Sequence, residues 1–349
     1  MYHERFKGTH YESGFLWGKR LREHGKQILE QVPFPISEER IRYAVKCRPY
    51  YEKWYPEALE EIRGIADGQG TEAGKLEAVL LSMYGIMPEN RCSCLAFRQG
   101  GHVILARNSD FLTETEKLNM NCIFRLDGAY HFQGNTTAFV EMEDGVNEYG
   151  FAVGLTSVYP SCLGCGLNAG MLLRYGLERC RTVKDFVNAL RQLPVATSQT
   201  FTAVDRTGTA AVIECNVERT EVCYADQEHM FVSAVNAFNL DGMKRYRTEG
   251  MDDWEAQRRY ETMQSAFVHN KSGAEEAVPF AMDVMRGRYG FICQYDRRTG
   301  KDTVWSAIYD VGAGKLWRCE GNPSRKAYKE DGRFGFLEQT SVQGKEQNL

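Results

Sequence analysis

The sequence predicts an α+β protein built of layered helices and sheets, and three features of its pattern lead to this fold class. Residues 1 to about 90 carry apolar positions at helical spacing. From Cys92 onward, the pattern changes to short strands separated by turn residues. Two pairs of helices interrupt those strands, and runs of strands alternating with runs of helices are typical of α+β architectures.

The N-terminal segment is expected to be helical, with helices at about 11–27, 37–47, 51–66 and 72–87. Helix breakers separate them, namely Pro33-Phe34-Pro35, Pro49 and Gly68-Gln69-Gly70. The turn residues Pro88-Glu89-Asn90 close the segment. We therefore divide the chain into a helical segment, 1–91, and a core, 92–349, whose polar tail begins at about 338.

The core is expected to alternate strands with helices. The strands are predicted at about 92–98, 102–107, 119–126, 136–142, 150–156, 199–205, 210–216, 219–225, 230–236, 290–296, 302–309 and 314–319. The helices are predicted at about 168–179, 182–192, 252–269 and 273–287.

Composition excludes some classes of function. The chain has 349 residues, of which 43% are hydrophobic, so it can bury a sizeable core in one or two domains. Its net charge of −4 gives no electrostatic footprint for nucleic acid or for an anionic membrane surface. The sequence from Met1 to Lys7 has no apolar stretch that would indicate a signal peptide, and no run approaches the length of a membrane-spanning helix.

The cysteines indicate a reducing environment. Eleven of them occur at irregular spacing, which argues against a disulfide framework in a protein of this size. Reduced thiols are therefore expected, and with them a cytoplasmic location. Most of the cysteines lie in apolar strands or helices, as Cys215 does, and are expected to be small buried side chains.

One stretch combines a thiol, a guanidinium and a carboxylate in a predicted hairpin. A strand that begins at Cys92 is followed by the turn Gly100-Gly101 and by a second strand, at whose end lie Arg107 and Asp110. In an antiparallel pair, the start of one strand lies beside the end of the other, so the three groups are expected to converge. On the pattern alone, a buried structural cysteine and a solvated Arg–Asp pair explain the same residues.

A catalytic cysteine needs an activator, because a free thiol is only slightly ionised at neutral pH. Arg107 supplies positive charge that favours the thiolate, and Asp110 can accept a hydrogen bond. The chain has seven histidines, and none lies near Cys92 in the sequence. If the bond before Cys92 is cut, the freed α-amino group, with a reference pKa of about 8, can act as the base.

The hairpin resembles that of the N-terminal nucleophile hydrolases of the penicillin acyltransferase and choloylglycine hydrolase type. That group has Cys-[Ser/Thr] on the first strand and [Gly/Ala]-[Arg/Gln]-Asn-x-Asp at the end of the second. This chain has Cys92-Ser93 and Ala106-Arg107-Asn108-Ser109-Asp110 at matching spacing. Further segments resemble the family in the same order along nearly the whole chain: 8–14, 144–153, 235–238, 258–259, 303–310 and 320–323.

The resemblance implies a four-layer αββα sandwich and a role for each matching residue. Cys92 matches the nucleophile, which the family exposes by cutting its own chain after the residue that Arg91 occupies. Arg107 and Asp110 match residues that position and polarise the nucleophile. Asn236 matches the side-chain amide of the oxyanion hole. Arg258 matches an arginine of the site, although Arg259 lies nearer the apolar stripe of its helix and either arginine can face inward.

The resemblance also implies the type of reaction. A zymogen would cut itself, and the two chains, 1–91 and the core, would remain together as a heterodimer; further self-association is left open. The mature enzyme would act on a small-molecule amide or acyl donor, through a thioester, by hydrolysis or by acyl transfer to an amine. No cofactor, metal, membrane or nucleic acid is involved in this scheme.

Three positions depart from the family pattern. Arg91 stands where a small residue is common before the cut. Thr156 stands where some relatives have a further asparagine. Cys94 adds a second thiol on the same strand face as Cys92. The glycine-rich loop that follows is expected to line the acyl pocket, which makes Thr156, Tyr159 and Leu163 candidate substrate-binding residues.

Other interpretations of the same residues belong to different classes of protein. Cys162-x-x-Cys165 has metal-ligand spacing, and Cys92-x-Cys94 can complete a four-sulfur zinc site, although the second pair lacks that spacing. A thioredoxin-like pair would need a βαβ pattern around it. A papain-like site would use His131, His229 or His269 and would need Cys92 at a helix N-terminus. An unprocessed, inactive binding module on the same fold is the remaining alternative.

Overall fold

Two β-sheets lie face to face in the computed structural model, which describes residues 1–86, 91–226, 230–269 and 276–336. The helices are α1 (His10–Glu23), α2 (Glu38–Trp54), α3 (Pro56–Gln69), α4 (Ala73–Leu80), α5 (Ala169–Arg179), α6 (Val183–Gln192), α7 (Ala256–His269) and α8 (Ala277–Met285).

The strands follow the predicted alternation with the helices. They are β1 (Tyr2–Gly8), β2 (Arg91–Gln99), β3 (His102–Leu112), β4 (Met120–Leu126), β5 (Phe132–Thr136), β6 (Asp144–Asn147), β7 (Ala152–Ser157), β8 (Gln199–Val204), β9 (Ala210–Cys215), β10 (Thr220–Tyr224), β11 (Phe231–Ala234), β12 (Lys301–Asp310), β13 (Lys315–Cys319) and β14 (Lys329–Glu330).

The first sheet has eight strands in the order β1-β4-β5-β6-β7-β8-β9-β10, and the second has six in the order β11-β2-β3-β12-β13-β14. Three apolar clusters separate the layers. The middle cluster joins the facing sides of the two sheets through residues such as Ala96, Leu105 and Val212. One outer cluster packs α1 to α6 on the first sheet, and the other packs α7 and α8 on the second. The predicted αββα sandwich is therefore confirmed.

The N-terminal segment differs from the prediction in two respects. Its first residues form β1, an edge strand that pairs in parallel with β4. The strand is short and mostly polar, so it lacks the apolar alternation that would have revealed it. Helix α2 continues through Pro49. Because proline has no N–H, the carbonyl of Val45 lacks its helical hydrogen bond. Val45 lies on the exposed side of the helix, at 65% relative exposure, where water can bond to this carbonyl instead.

The core also contains differences. A strand was expected at 136–142, but β5 ends at Thr136 and the short strand β6 follows after a turn. No strand forms at 290–296, where the chain bends irregularly between α8 and β12. Helix α8 begins at Ala277, later than predicted. The expected polar tail from about 338 and the turn at 88–90 lie outside the described residues. Within the described ranges, no helix is both long and apolar enough to cross a membrane.

Candidate active site

The predicted hairpin of β2 and β3 forms the floor of the candidate site. The two strands pair antiparallel, with Cys92 opposite Ser109 and Cys94 opposite Arg107. Alternate residues of a strand face opposite sides of a sheet. Cys94 belongs to the cluster between the two sheets, so Cys92 and Arg107, which share its face, are directed toward the first sheet.

Arg107 contacts the sulfur of Cys92 directly. Its Nη2 atom lies 2.8 Å from Cys92 Sγ, and both side chains are fully buried. The rest of the guanidinium is held by the first sheet, through Leu155 O at 2.9 Å, Asp144 Oδ2 at 2.9 Å and Glu143 Oε2 at 3.1 Å. A buried guanidinium requires such partners, because an unpaired buried charge is very costly.

Gly154 on β7 leaves the space that Arg107 crosses between the sheets. A Cβ atom at this position would stand 3.0 Å from Arg107 Cδ and 3.1 Å from Cys94 Sγ. These contacts are tighter than ordinary packing, so a larger residue would push the guanidinium away from Cys92. The glycine thus serves the close approach of an arginine side chain.

The Cys92 thiol is not ionised at neutral pH in the intact chain. Burial raises its pKa well above the ordinary range, and the positive charge of Arg107 only partly opposes this effect. Glu143 adds to the increase because it is an acidic neighbour. An additional base is therefore needed before this sulfur can act as a nucleophile.

The backbone of Cys92 is held from both sides. Its amide N–H donates to Asn236 Oδ1 at 2.8 Å, and its carbonyl accepts from Arg259 Nη1 at 2.6 Å. Arg259 Nη2 also donates to Asn236 Oδ1 at 3.0 Å. Asn236 Nδ2 in turn donates to the carbonyl of Ser157, at the end of β7, at 2.8 Å. Asn236 and Arg259 of α7 therefore hold the two peptide groups that flank the α-carbon of Cys92, and Asn236 is itself bound to the end of β7.

The choice of Arg258 as the site arginine is wrong, and Arg259 occupies that position. The Arg258 side chain is 61% exposed, pairs with Glu255 and lies over the ring of Phe291. Arg259 is fully buried and additionally donates to Ser93 Oγ at 3.0 Å. The two residues are neighbours on a helix, where consecutive side chains point about 100° apart, so only one can face the sheet.

Asp110 lies beside the site but on the other side of its sheet. It is directed toward α7, where Thr303 Oγ1 donates to it at 2.6 Å and the Tyr295 hydroxyl at 3.0 Å. Arg259 Nη1 lies 3.8 Å from its Oδ2 atom. Burial raises the pKa of Asp110 to about 6, against the opposing effect of Arg259. Asp110 is therefore connected to the backbone of Cys92 only through Arg259. Of the two side chains that were expected to lie beside the thiol, Arg107 does so and Asp110 does not.

Arg91, the residue before the expected cut, is half-buried at the start of β2. It lies opposite Asp110 in the strand register, and its guanidinium donates to the carbonyl of Asp252 at 2.8 Å. Burial and the nearby Arg259 lower the pKa of Arg91. The side chain is thus anchored at one end of the candidate site.

The other predicted residues lie around the site. Burial raises the pKa of Cys94, which also neighbours Arg107, to about 12. Thr156 is buried and donates to the carbonyl of Val235, next to Asn236, at 3.0 Å. Tyr159 is half-buried in the following loop. Leu163 is 44% exposed and packs over Gly85 of the N-terminal segment.

Two acidic residues of the site, Glu143 and Asp144, were not predicted as site residues. Glu143 accepts from Thr137 Oγ1 at 2.7 Å and from Ser109 Oγ at 3.2 Å in addition to Arg107. Asp144 also accepts from Trp305 Nε1 at 2.9 Å. An arginine inside an apolar strand is expected to be buried, and a buried arginine needs carboxylate partners. The acidic residues at 141–144 could have been identified from the sequence as those partners.

An apolar cavity of about 110 Å³ lies between the N-terminal segment and the core. It reaches the site through Thr137, which hydrogen-bonds to Glu143. The N-terminal segment contributes Ile28, Phe34, Val79 and Tyr84 to its wall, and the core contributes Phe111 and Phe139, among others. Thr156, Tyr159 and Leu163 are not among the residues that line it.

The residues proposed for a zinc site, a thioredoxin-like pair or a papain-like site are not brought together in the described part of the structure. Cys162 and Cys165 pack on different apolar clusters, and no three His, Cys, Asp or Glu side chains within the described part of the chain are grouped to hold a metal ion. Cys92 begins a strand rather than a helix. The imidazole of His131 lies beside Glu148 and that of His269 contacts Ser265, and His229 lies outside the described residues.

Comparison with solved structures finds similar folds at low sequence identity. Penicillin V acylase from Agrobacterium tumefaciens shares 15% identity, with 71% of this chain and 89% of that chain covered and a TM-score of 0.49. A mutant conjugated bile acid hydrolase from Clostridium perfringens shares 13% identity, with 70% of this chain and 94% of that chain covered and a TM-score of 0.47. An N-acylethanolamine-hydrolyzing acid amidase ortholog from Caenorhabditis elegans shares 14% identity, with 63% of this chain and 93% of that chain covered and a TM-score of 0.46.

Comparison of the sequence with protein families gives a direct assignment. No curated protein sequence matches the chain significantly. The profile of the acyl-coenzyme A:6-aminopenicillanic acid acyl-transferase family matches residues 97–325, which begin just after Cys92 and include Arg107, Asp110, Asn236 and Arg259. Because this match spans more than half of the sequence, the chain belongs to the acyl-coenzyme A:6-aminopenicillanic acid acyl-transferase family.

Proposed function

We propose that the chain is a self-processing cysteine hydrolase that acts on a linear, non-peptide amide through a thioester. One observation supports this proposal above the others. The sulfur of Cys92 contacts Arg107 while the backbone on either side of the same residue is held by Asn236 and Arg259. A structural cysteine requires neither a guanidinium on its sulfur nor a clamp on its peptide groups.

Self-cleavage would begin with attack of Cys92 Sγ on the carbonyl carbon of Arg91. The acyl group moves from nitrogen to sulfur, which breaks the peptide bond and frees the α-amino group of Cys92. Water then hydrolyses the thioester, so that Arg91 gains a carboxylate and the thiol is restored. Arg107 positions the sulfur, Asn236 holds the N–H of the peptide unit that is cut, and Arg259 holds the carbonyl of the next one, so the backbone moves little during the attack.

The new amino group would solve the problem of activation. Its reference pKa is about 8, so a substantial fraction is neutral at physiological pH and can accept the thiol proton. Asn236 Oδ1, which accepts from the amide N–H in the intact chain, can accept from the amine after the cut. The same hydrogen bond would therefore hold the base in position in both states.

Turnover would follow the same chemistry on an external amide. The Cys92 thiolate attacks the substrate carbonyl, the amine leaves with a proton, and a thioester remains. The side-chain amide of Asn236 is the proposed donor to the oxyanion, and removal of such a donor typically costs about 3–4 kcal/mol of barrier. Water resolves the thioester in a hydrolase, and a second amine resolves it in an acyltransferase.

The cavity beside Glu143 would receive the acyl part of the substrate. Most of its wall is apolar, and the guanidinium of Arg40, the charged residue in its lining, is bound to Ser82 and to the carbonyl of Ile86, so the cavity fits a hydrocarbon or aromatic acyl group. Thr156, Tyr159 and Leu163 would then flank the amine part, because Thr156 lies at the end of β7, which contacts Asn236, and the other two follow that strand. Since the N-terminal segment forms most of the cavity wall, the proposal also requires the two cleaved pieces to stay together. We also propose a cytoplasmic location for the enzyme.

Intact-mass measurement with N-terminal sequencing of the purified protein tests the processing step. We expect one fragment to begin at Cys92 in the wild type and none in Cys92→Ala, whereas Cys122→Ala, which removes a buried thiol of β4, should process normally. A panel of N-acyl amines and N-acyl amino acids then tests turnover. An intact chain whose Cys92→Ala form remains fully active would contradict the mechanism, and an intact chain that binds such amides without turnover would support the inactive binding module.

A further inference from the structure

Helix α2 of the N-terminal segment runs along one short loop of the core, residue by residue. Tyr43, Cys47 and Tyr51 occupy successive turns of the same helix face. The Tyr43 hydroxyl donates to the carbonyl of Gly164 at 2.8 Å. Two turns later, the Tyr51 hydroxyl accepts from the amide N–H of Asn168 at 3.2 Å. The residue between the tyrosines, Cys47, is therefore placed against the middle of the loop.

The middle of that loop is Cys165-Gly166. The Cys47 thiol lies close enough to the Gly166 amide and to the Cys165 thiol for both groups to influence its pKa, which burial raises. The loop is fixed on its other side, since Gly164 N donates to Ala196 O at 3.0 Å and Leu167 N to Pro194 O at 2.8 Å. The two sulfurs thus meet between two firmly held backbones.

From this geometry, we propose that Cys47 and Cys165 form a disulfide that joins the N-terminal segment to the core. The neighbouring Cys162 is not the partner, because it packs on Val158 and Phe238, in a different cluster from Cys165. Cys47 is fully buried, whereas Cys165 is partly exposed. An oxidant therefore reaches Cys165 first, and Cys47 resolves the product from within.

Oxidised glutathione, a small-molecule disulfide, is the oxidant that balances the reaction. The Cys165 thiolate attacks one of its sulfurs and releases one glutathione thiolate. The Cys47 thiolate then attacks the Cys165 sulfur of the mixed disulfide and releases the second. Two protein thiols lose two protons and two electrons, and one oxidised glutathione becomes two reduced molecules. Because burial raises the pKa of Cys47 to about 11, the second exchange is faster at alkaline pH.

The bond would have a specific consequence for the enzyme. Its formation does not require self-cleavage, but its role as a link between two pieces rests on the proposed cut before Cys92. In the cleaved protein, the bond would keep the N-terminal part of the cavity wall attached to the core. It would also fix the loop that carries Tyr159 and Leu163, which packs over the N-terminal segment at Gly85.

The test uses the full-length protein incubated with mixtures of reduced and oxidised glutathione. Free thiols are then blocked, and the intact mass and peptide map are recorded without reduction. We expect a loss of two hydrogen masses and a cross-linked peptide pair that contains Cys47 and Cys165. In processed protein, the two fragments should migrate as one band that separates after addition of dithiothreitol.

Cys165→Ser should abolish both signals, and Cys162→Ser, in the same loop, should retain them. A wild-type protein that keeps both thiols alkylatable at every glutathione ratio, or that pairs Cys165 with Cys162, would overturn the proposal. The outcome is separate from that of the proposed function. A cross-linked but uncleaved chain supports the disulfide and counts against self-processing, whereas a cleaved chain without the cross-link does the reverse.

Discussion

Arg259 donates a hydrogen bond of 2.6 Å to the backbone carbonyl of Cys92 and lies 3.8 Å from the carboxylate of Asp110. The guanidinium therefore connects a carboxylate on one side of the sheet to the backbone of Cys92, whose sulfur lies on the other side. Arg107 contacts that sulfur from the first sheet. Two buried arginines thus hold one residue, one through its backbone and the other through its side chain.

Replacement of Arg259 should impair self-cleavage far more than replacement of its neighbour Arg258. In Arg259→Ala, the carbonyl of Cys92 loses its donor and Asp110 loses its nearest cation, so we expect cleavage and turnover to fall by about 10²–10³-fold. Arg259→Lys should recover part of the rate, because it keeps the charge but not the forked geometry. Arg258→Ala is the matched control, since that side chain is mostly exposed.

The measurement is the rate of appearance of the fragment that begins at Cys92, followed by mass spectrometry in freshly refolded protein. Equal rates for Arg259→Ala and Arg258→Ala would show that the hydrogen bond to the Cys92 carbonyl has no role in processing. Circular dichroism of both variants checks that the fold is intact.

The pH dependence of processing should have an acid limb that originates from Asp110. Burial raises its pKa to about 6, so below that pH the carboxylate is protonated and no longer attracts Arg259. We therefore expect the cleavage rate to fall as the pH drops from 7 to 5 and this limb to disappear in Asp110→Asn. An exposed replacement, Asp241→Asn, should leave the profile unchanged.

The same group should affect stability in the opposite direction. Because the folded state holds the Asp110 proton more tightly than the unfolded chain does, ionisation costs stability as the pH rises from about 4 to 6. A shift of this size corresponds to about 3 kcal/mol. Urea unfolding of Cys92→Ala, which cannot process, should therefore show a pH-dependent component in this window that is missing from the Cys92→Ala, Asp110→Asn double variant.

Much of the site could be predicted because the hairpin is a local structure. The pairing of β2 with β3 follows from two apolar strands and a glycine turn, and it brings Cys92 and Arg107 together. The choice between Arg258 and Arg259 depends on the rotation of one helix, which the neighbouring apolar stripe indicates only roughly. Glu143 and Asp144 were missed because the strand predicted at 136–142 ends at Thr136, and the two carboxylates contact Arg107 from the start of the next strand, β6.

The N-terminal segment shows a different limit of sequence reasoning. Its helices were recognised from their periodicity, but the contacts that fix the segment to the core join residues far apart in the chain. Arg174 of α5 binds Glu61 of α3 at 2.7 Å and Glu178 at 2.8 Å. Glu178 also contacts His10 of α1 at 3.2 Å. Nothing local in the sequence distinguishes these charges from surface residues.

Removal of Arg174 should therefore weaken the attachment of the N-terminal segment. Arg174→Met leaves Glu61 and Glu178 buried without their cation, which typically costs about 3–5 kcal/mol. Arg179→Met is the control, because that arginine and its partner Glu57 are 37% and 39% exposed and should contribute at most about 1 kcal/mol. Urea unfolding of the unprocessed Cys92→Ala background reports both values.

Acid should weaken the same attachment within a defined range. Although burial alone would raise the pKa of Glu178, Arg174 and His10 lower it to about 2. The stabilisation is complete above the ordinary pKa of 4.5 and is lost as the pH falls through about 2, and it amounts to about 3 kcal/mol. In processed protein, size-exclusion chromatography should show the two fragments separating in this range. This acid-dependent step should be absent from Arg174→Met, because the main cause that lowers the pKa of Glu178 against the effect of burial is removed.

The last prediction concerns the cavity between the N-terminal segment and the core. Val79 of α4 lines it and is nearly buried, so Val79→Phe should fill part of its volume of about 110 Å³. If the acyl group binds there, kcat/KM for long acyl amides should fall by about tenfold or more, as expected when roughly 1–3 kcal/mol of apolar contact is lost. Short acyl amides should be affected little.

A matched control is available on the surface of the same segment. Val45→Phe makes the same replacement at an exposed position of α2 and should leave both substrates unaffected. The ratio of long-chain to short-chain kcat/KM is the decisive quantity, because a general loss of stability lowers both values together. If the ratio stays constant in Val79→Phe while processing and short-chain turnover are normal, the acyl group must bind elsewhere. The loop that carries Tyr159 and Leu163 would then be the next place to test.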